Sequence, residues 1–255
     1  VSVLNTAAEE ADIGLIWPVL LETFFKGEAA CRPLIARRGL SEALVDPALS
    51  WLRANGAEIR LGRRLRDLER EGPRVSTLQF DDGPEPLAQD DRVILAQPSP
   101  VTGSLLPELV VPTAFRAIVN GHFRTRAALD GPPRLLGIVG GVAHWLFLRD
   151  DMISVTVSAA DGLAEESAEA IAVALWNDIR QALDLGEAPI PQWRIVKEKR
   201  ATFAQTPAQV RKRPGPRGPL SNLLLAGDWT NTGLPATIEG AMRSGETAAE
   251  LASRS

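Results

Sequence analysis

The sequence has one cysteine, two histidines and no tyrosine among its 255 residues. One cysteine excludes an intrachain disulfide and any metal cluster held by cysteines alone, which fits either a reducing cytosol or a protein that is indifferent to redox conditions. No spacing of histidine, cysteine and carboxylate side chains matches a metal site, so the sequence predicts no metal ion. Cys31 also lacks the partner pattern of a nucleophile, and we expect it to be a small buried or half-buried side chain.

Long apolar runs, an N-terminal targeting segment and an excess of basic charge are also missing. No apolar run reaches the roughly 18 to 20 residues that a membrane span needs. Residues 1–12 are acidic and lack the basic start of a signal peptide. The net charge of −4 and the pI near 5.4 give no general attraction for nucleic acid. We therefore expect a cytoplasmic protein without a nucleic-acid partner.

The glycine loop of a dinucleotide-binding unit is absent too. That unit is marked by G-x-G-x-x-G between a strand and a helix, and no segment of the chain has it. The stretch from Gly137 to Gly141 has a different spacing and precedes another strand-like segment. The missing motif and the lack of an initiator methionine together predict that the chain is part of a longer one.

The segments that are present alternate between helical and strand patterns. Helices are expected at 41–54, ended by Asn55-Gly56, and at 164–183. Residues 7–25 are apolar on nearly every side, which predicts a buried helical segment with Pro18 at a kink or junction. Strands are expected at 57–61, 65–70, 75–80, 91–96, 117–120, 135–141, 145–148, 152–158 and 193–203, with turns at Gly131-Pro-Pro and Arg149-Asp-Asp.

The C-terminal segment holds the candidate ligand site. Residues 223–226 form an apolar run that stops at Gly227-Asp228, which is typical of a buried parallel strand ending at a ligand crevice. Pro235 is placed for the first turn of a helix from Ala236 to about Ser253. The free N–H groups of Ala236, Thr237, Ile238 and Glu239 would then favour a negative ligand group beside Asp228. Spacing alone leaves a second interpretation open, in which Asp228 is a turn residue.

Small residues form two neighbouring stripes along this expected helix. A glycine inside a helix costs about 1 kcal/mol relative to alanine, and close packing is the usual compensation. Each stripe therefore predicts a close approach to another backbone. The stripes are Gly240, Ser244, Ala248 and Ala252, and Ala241, Gly245 and Ala249.

Several of these stretches resemble the flavin signature of the phytoene desaturase and flavin amine oxidase superfamily of FAD enzymes. The resemblance implies that Gly227 and Asp228 hold the ribityl chain of FAD and that the helix start at Ala236–Glu239 faces the N1/O2 edge of the flavin. It also implies a contact between the Leu65 backbone and the adenine, with leucine replacing the usual valine. The matching stretches are Leu225-Ala-Gly-Asp-Trp-Thr, Thr232-Gly-Leu-Pro-Ala-Thr-Ile-Glu-Gly-Ala, Arg243-Ser-Gly and Gly56-Ala-Glu-Ile-Arg-Leu-Gly-Arg-Arg-Leu.

A finer resemblance is to one branch of that superfamily, the hydroxysqualene dehydroxylases. It is carried by Asn120-Gly-His-Phe, Trp145-Leu-Phe and the run from Lys197 to Pro207. The implied fold is α/β (α+β), with two domains as in amine oxidases and phytoene desaturases but without the N-terminal Rossmann βαβ unit. The implied division is substrate-domain helices at 1–35, an FAD-domain segment at 36–100, the substrate domain at 101–212 and an FAD-domain strand and helix at 213–255.

This branch implies an FAD-dependent reductive dehydroxylation of hydroxysqualene to squalene, within squalene and hopanoid biosynthesis. The implied partners are a hydrophobic isoprenoid substrate, the N-terminal Rossmann segment and, by peripheral contact, the inner face of the membrane. His122 is the candidate donor of a proton to the departing hydroxyl and His144 is the other histidine, although an ordinary strand or turn role is open for both. The alternatives are a carotenoid desaturase, which runs the flavin in the oxidising direction, and a flavin-incompetent domain that packs against a partner.

Overall fold

The computed structural model describes residues 1–32, 34–36, 39–125 and 133–254. They form two compact units. The first unit comprises Val1–Thr6, Glu28–Ile59 and Arg116–Ala201, and the second comprises Ala7–Gly27, Arg60–Phe115 and Thr202–Ser255. The units divide the N-terminal third differently from the expected domains, because residues 7–27 belong to the second unit and 28–59 to the first. The two units are defined by compactness alone and do not show which residues bind a cofactor or a substrate. The assignment of FAD-domain and substrate-domain segments therefore stays a prediction.

Helices and strands are mixed along the chain, as the α/β prediction requires. The helices are α1 (Ile16–Glu22), α2 (Glu28–Cys31), α3 (Asp46–Ala54), α4 (Ser99–Leu105), α5 (Ala168–Leu183), α6 (Pro207–Val210) and α7 (Ile238–Ser253), with 3-10 turns at Ile13–Leu15, Phe24–Lys26 and Leu163–Glu165 and a π-helical turn at Ser41–Val45. The strands are β1 (Leu65–Glu71), β2 (Arg74–Phe80), β3 (Gly83–Pro86), β4 (Val93–Leu95), β5 (Phe115–Arg124), β6 (Arg134–Gly137), β7 (Trp145–Arg149), β8 (Met152–Val157), β9 (Gln192–Phe203) and β10 (Leu223–Leu225).

The first unit is built on a five-stranded sheet in the order β6-β7-β8-β5-β9. The pairings from β6 to β5 are antiparallel. Side chains alternate between the two faces, and α5 covers one face with an apolar stripe that begins after the Ser167 N-cap. The core between them includes Val119, Phe123, Leu146, Ile153, Val155, Ile171, Leu175 and Ile179, each fully or almost fully buried.

The second unit contains a meander in the order β1-β2-β3 and a parallel pair formed by β4 and β10. Asn222, immediately before β10, joins the meander to the parallel pair. Its amide oxygen accepts the N–H of Val75 at 2.8 Å and its amide nitrogen donates to the Val75 carbonyl at 3.0 Å. These two bonds fix β10 beside β2, and the sequence did not indicate this role.

Most of the predicted elements are confirmed, including the parallel strand at the C-terminus and the helix that ends at Asn55-Gly56. The Arg149-Asp-Asp turn is also present, with Asp150 at φ +46°. The predicted turn at Gly131-Pro-Pro lies outside the described residues, apart from Pro133. Strand β3 and helix α4 were not predicted, because proline-containing segments were interpreted as turns and breaks.

Three local predictions are wrong. Residues 57–61 are not a strand and are mostly exposed, although their apolar and polar residues alternate. Cys31 is exposed. The 7–25 segment buries only Leu15 among its large apolar side chains, whereas Ile13 is 83% and Phe24 72% exposed. The segment does consist of short helical pieces, but the junction lies at Leu15 and Ile16, and Pro18 is in the first turn of α1. An apolar pattern does not reveal whether a neighbouring element covers it.

Candidate functional site

The candidate site lies where the parallel pair in the second unit ends. Leu223 is opposite Val93 and Leu225 is opposite Leu95, and the Ala226 N–H donates to the Leu95 carbonyl at 2.9 Å. Both strands therefore finish at the same edge, one at Gly227 and the other near Gln97. The carboxyl ends of parallel strands are where open α/β sheets bind ligands.

Gly227 makes the sharp exit from β10. Its φ of +140° is unfavourable for other residues, and a Cβ there would lie 2.5 Å from the indole nitrogen of Trp229. Its N–H donates to the Ser244 hydroxyl at 2.7 Å, which fixes the turn to helix α7. Trp229 is buried and donates from its indole nitrogen to the Gln97 carbonyl at 2.8 Å, which joins the two strand ends.

The Asp228 carboxyl is half-buried at this strand end, as predicted. Burial raises its pKa above the usual value, while Arg213 and the backbone N–H groups of Asp228 and Trp229 act in the opposite direction. A carboxyl group in either protonation state keeps acceptor oxygens that can receive hydrogen bonds from ligand hydroxyls. The site therefore has an acceptor that could bind a polyol chain.

Arg213 is the residue of this site that sequence reasoning missed. Its guanidinium donates to the Leu234 carbonyl at 2.8 Å, the Asp228 carbonyl at 3.1 Å and, through two nitrogens, the Thr230 carbonyl. It lies 5.4 Å from the Phe203 ring centre, and burial lowers its pKa to about 10. Its loop was interpreted as basic and proline-rich only, because no local pattern shows that one of its arginines turns inward to bind the 228–234 loop.

The start of α7 differs from the prediction. The helix begins at Ile238, with Thr237 as an extended N-cap whose hydroxyl accepts the Gly240 N–H at 3.1 Å. Threonine is a strong N-cap residue, so the helix begins after Thr237 and not at Pro235. Pro235 therefore precedes the helix. The Ala236 N–H is not free, because it donates to the side-chain oxygen of the buried Gln205 at 2.9 Å.

Three of the four predicted donors remain at the helix start, because only the Ala236 N–H is engaged and the N–H of the N-cap Thr237 has no acceptor among the described residues. The N–H groups of Ile238 and Glu239 lie in the first turn, where a helix offers no internal acceptor, and they donate to no other acceptor within the described part of the chain. The positive end of the helix dipole adds to these donors. Such a position can favour an anionic ligand edge, with three donors in place of four, and the contact with a ligand stays a prediction.

The first small-residue stripe of α7 packs as expected. Gly240, Ser244 and Ala248 are buried, and Ala248 lies in an apolar cluster with Leu224 and Ala226. A Cβ on Gly240 would meet the Pro235 carbonyl oxygen at 2.7 Å. The second stripe is partly exposed, and nothing lies within 4 Å of a Cβ on Gly245.

An unsatisfied polar atom lies at the other strand end. The side-chain oxygen of Gln97 is buried and accepts no hydrogen bond from any described residue. A buried acceptor without a donor costs about 1 to 3 kcal/mol, so such an atom indicates a missing ligand or water. Its carbonyl bond to Trp229 places Gln97 beside the turn at Gly227 and Asp228. The unsatisfied oxygen, the Asp228 carboxyl and the donors at the helix start fit a ligand that carries both donors and an anionic edge.

Leu65 lies at the first position of β1, at the edge of the meander and opposite Phe80. Its side chain packs against the apolar core of the second unit. An edge strand leaves backbone groups available on its outer side, and the predicted adenine contact needs only backbone groups. The contact itself stays a prediction.

The two histidines lie in the first unit and differ in their surroundings. His122, on β5, is half-buried with its Nδ1 3.0 Å from the Ser154 hydroxyl. Burial lowers its pKa, and the charges of Arg149 and Arg194 lower it further. His144 accepts the Ser158 N–H through Nδ1 at 3.1 Å, and its pKa is lowered mainly by burial. His144 therefore has the satisfied structural role that the sequence left open.

The described residues contain neither a metal-binding cluster nor a membrane-spanning helix. No group of three or more histidine, cysteine, aspartate or glutamate side chains in the ranges 1–32, 34–36, 39–125 and 133–254 could hold a metal ion. No helix within these ranges is long and apolar enough to cross a membrane.

A parallel strand end that presents a carboxylate, joined by a glycine turn to a helix with free N–H donors, is the arrangement of a nucleotide-cofactor protein. The profile of the family described as "Flavin containing amine oxidoreductase" matches residues 2–252. The chain belongs to this flavin-containing family.

The curated relatives that this chain matches are individual enzymes and so narrow the comparison beyond the broad family. A hydroxysqualene dehydroxylase of Rhodopseudomonas palustris is 48% identical over 97% of this chain and 59% of its own length. Another from Sinorhizobium fredii is 46% identical over 98% of this chain and 59% of its own length. A 15-cis-phytoene desaturase of Solanum lycopersicum is 24% identical over 82% of this chain and 40% of its own length. The chain thus spans 59% of the length of the dehydroxylases that it matches.

Solved structures agree on the fold. An oxidoreductase from Methanosarcina mazei has a TM-score of 0.62 and 14% identity, covering 82% of this chain and 54% of its own. A putrescine oxidase with redesigned cofactor binding has a TM-score of 0.56 and 17% identity, covering 83% of this chain and 53% of its own. At these identities the likeness concerns the fold alone.

Proposed function

We propose that this chain is the larger part of an FAD-dependent enzyme that converts hydroxysqualene to squalene. The observation that carries the proposal is the identity of 48% and 46% to two hydroxysqualene dehydroxylases over nearly the whole chain. The sequence identity to the phytoene desaturase is only 24%, half that to the first dehydroxylase. Reductive removal of a hydroxyl is therefore favoured over desaturation.

The second unit would hold the flavin part of FAD. The Asp228 carboxyl would accept hydrogen bonds from the ribityl hydroxyls, and Gly227 would let the cofactor approach the turn. The N–H groups of Ile238 and Glu239 would face the N1/O2 edge of the flavin, where reduction places negative charge. The Leu65 backbone would contact the adenine. The unsatisfied Gln97 oxygen supports this assignment because it needs a donor that the described chain does not supply.

Bound reduced FAD would supply the hydride that replaces the hydroxyl. The remaining requirements are a proton for the departing oxygen and an apolar environment, so that hydroxysqualene, hydride and a proton give squalene and water. His122 is the proposed proton donor, through Nε2, because Nδ1 is engaged by Ser154. The surroundings of the allylic carbon must be poor in nucleophiles and water, because that carbon gains cationic character as it loses its hydroxyl.

The test uses the full-length protein, with whatever sequence its reading frame adds to these 255 residues. The purified protein is incubated with FAD, a chemical reductant and either hydroxysqualene or phytoene, and the products are identified by mass spectrometry. Squalene from hydroxysqualene is the expected result. Desaturated phytoene without squalene would instead support the carotenoid desaturase, and no product with no bound flavin would support the packing domain.

Cofactor binding is tested separately with Asp228 variants of the same protein. Asp228→Ala should weaken FAD binding by about 1.5 to 3 kcal/mol, the range for a hydrogen bond to a charged group. Asp228→Asn should lose less, because the amide keeps one acceptor oxygen. If both variants hold FAD as tightly as the parent in a dialysis titration, Asp228 is only a turn residue. The 255-residue chain alone should bind FAD weakly, because it lacks the glycine loop for the pyrophosphate.

A further inference from the structure

The two faces of the five-stranded sheet in the first unit have opposite character. The face under α5 carries Val119, Phe123, Ile153 and Val155, all fully buried. The other face, which we call the polar face, carries side chains from the alternate positions of the same strands. Its members Asn120, His122, Leu135, Trp145, Phe147 and Thr156 are half-buried, and Ser154 is buried at 7% exposure.

The strand register arranges the polar face in two rows. In the first row, Leu135 is opposite Phe147, Phe147 is opposite Ser154, and Ser154 is opposite His122. In the second row, Gly137 is opposite Trp145, Trp145 is opposite Thr156, and Thr156 is opposite Asn120. Each row therefore runs from an apolar end on β6 and β7 to a polar end on β8 and β5.

Hydrogen bonds at the polar end leave donors available. The Thr156 hydroxyl donates to the Asn120 amide oxygen at 2.8 Å, so the Asn120 amide nitrogen keeps its two hydrogens. The His122 Nδ1 lies 3.0 Å from the Ser154 hydroxyl, so Nε2 is the free ring nitrogen. Neither Asn120 Nδ2 nor His122 Nε2 has a partner among the described residues.

The spacing of these donors suits one oxygen atom. Asn120 and His122 are two residues apart on β5, and positions two apart on a strand lie about 7 Å from each other on the same face. A hydroxyl oxygen between them can accept from both side chains, each at about 3 Å. Trp145 and Phe147 continue the same two rows and offer aromatic surface to an attached hydrocarbon.

We propose that the polar face binds the substrate as an apolar alcohol: Asn120 Nδ2 and His122 Nε2 donate to the hydroxyl oxygen, and Trp145 and Phe147 contact the adjoining hydrocarbon chain. The proposal rests on the proposed dehydroxylase function and adds Asn120 as the residue that distinguishes the alcohol from its hydrocarbon product. The nearby Arg149 and Arg194 lower the pKa of His122 in addition to burial, which favours the neutral ring at neutral pH. The neutral ring binds the alcohol as an N–H donor, and the protonated fraction of the ring is the form that gives the proton to the departing oxygen.

The experiment compares alcohol and hydrocarbon binding in the full-length enzyme. Asn120→Asp keeps the oxygen that accepts from Thr156 but removes the two donor hydrogens, so the hydroxyl oxygen loses one of its two proposed donors. The KM for hydroxysqualene should rise about tenfold, while the inhibition constant of squalene stays within twofold, because squalene has no hydroxyl. Phe147→Ala should raise both constants together, since both ligands share the hydrocarbon chain.

The matched control is Asn177→Asp, an exposed position on α5 with the same change of charge. It should change neither constant, and melting curves should show that all variants are folded at the assay temperature. An Asn120→Asp enzyme with both constants unchanged, or with both raised in parallel, would overturn the proposal. If the parent makes no squalene from hydroxysqualene, the proposed function is wrong and the alcohol site is wrong with it.

Discussion

The guanidinium of Arg213 donates to the main-chain carbonyl of Asp228 at 3.1 Å, 15 residues along the chain. The same side chain bonds the carbonyls of Thr230 and Leu234. One buried cation thus satisfies three carbonyls in the loop between β10 and α7. The loop leads from the Asp228 carboxyl at the strand end to the start of α7.

Replacing Arg213 should destabilise the protein strongly. Arg213→Ala leaves the Thr230 and Leu234 carbonyls without their donor, and hydrogen bonds to a charged group are worth about 1.5 to 3 kcal/mol each. We expect a loss of about 3 kcal/mol or more in the free energy of unfolding, measured by urea titration. Arg211→Ala, at an exposed position two residues earlier, should change it by less than about 0.5 kcal/mol. Equal effects of the two variants would show that the Arg213 bonds contribute little.

The ionised Asp228 carboxylate should lower the free energy of unfolding at neutral pH, because it is buried when the protein folds. Its folded pKa is raised above 3.8 mainly by burial, so the stability linked to this group is full below pH 3.8 and is lost as the pH rises through the folded value. Asparagine has no such ionisation. Asp228→Asn should therefore be more stable than the parent at pH 7 without FAD, with the difference shrinking toward pH 4. Urea unfolding at both pH values checks this.

Asp90→Asn, at an exposed position, is the control for the change in net charge. A difference between Asp228→Asn and the parent that stays constant with pH would argue against a buried ionisation.

Two glycines at the site should respond oppositely to alanine. Gly227→Ala meets both a φ of +140° and the indole nitrogen of Trp229, so we expect a loss of about 2 to 4 kcal/mol in unfolding free energy. Gly245→Ala lies inside α7 with open space around the added methyl group, and it should stabilise the protein by about 0.5 to 1 kcal/mol. Thermal unfolding of both variants measures this. If Gly227→Ala left the free energy of unfolding unchanged, the turn must be able to shift its backbone and Trp229 at little cost.

The N–H donors of α7 should set the reduction potential of the bound flavin. Ile238→Pro removes one free donor at the first helical position, where proline is tolerated, and the extended Thr237 suits a following proline. Loss of a donor near N1 disfavours the anionic reduced flavin, so the potential should fall by a few tens of millivolts, since about 30 mV corresponds to 1.4 kcal/mol for two electrons. Spectroelectrochemical titration of the FAD-loaded protein gives the value.

Ala168→Pro provides the matched control, because it makes the same change at the first position of α5 in the other unit. Its flavin potential should equal that of the parent. An unchanged or raised potential in folded Ile238→Pro would show that α7 does not donate to the flavin. Thr237→Pro is a poorer probe, since it also removes the hydroxyl that caps Gly240.

The sequence by itself determined the strand at 223–225, the turn at Gly227-Asp228 and the packing stripe of α7, because apolar runs, glycine and small residues leave local patterns. It also carried the likeness to flavin enzymes, which the family match confirmed. It misplaced the helix start by two residues, because the choice between Pro235 and Thr237 depended on a hydroxyl bond to Gly240 and on Gln205 taking the Ala236 N–H.

Only the tertiary structure decided which polar side chains turn inward. Arg213 and Arg211 have similar neighbours in sequence, yet only Arg213 is buried beneath the loop that it binds. Likewise, the register of β5 against β8 brings Thr156 to Asn120 and Ser154 to His122, and local sequence patterns do not specify that register. Contacts between residues far apart in the chain depend on the packing of whole strands and helices, so no local pattern could have indicated them.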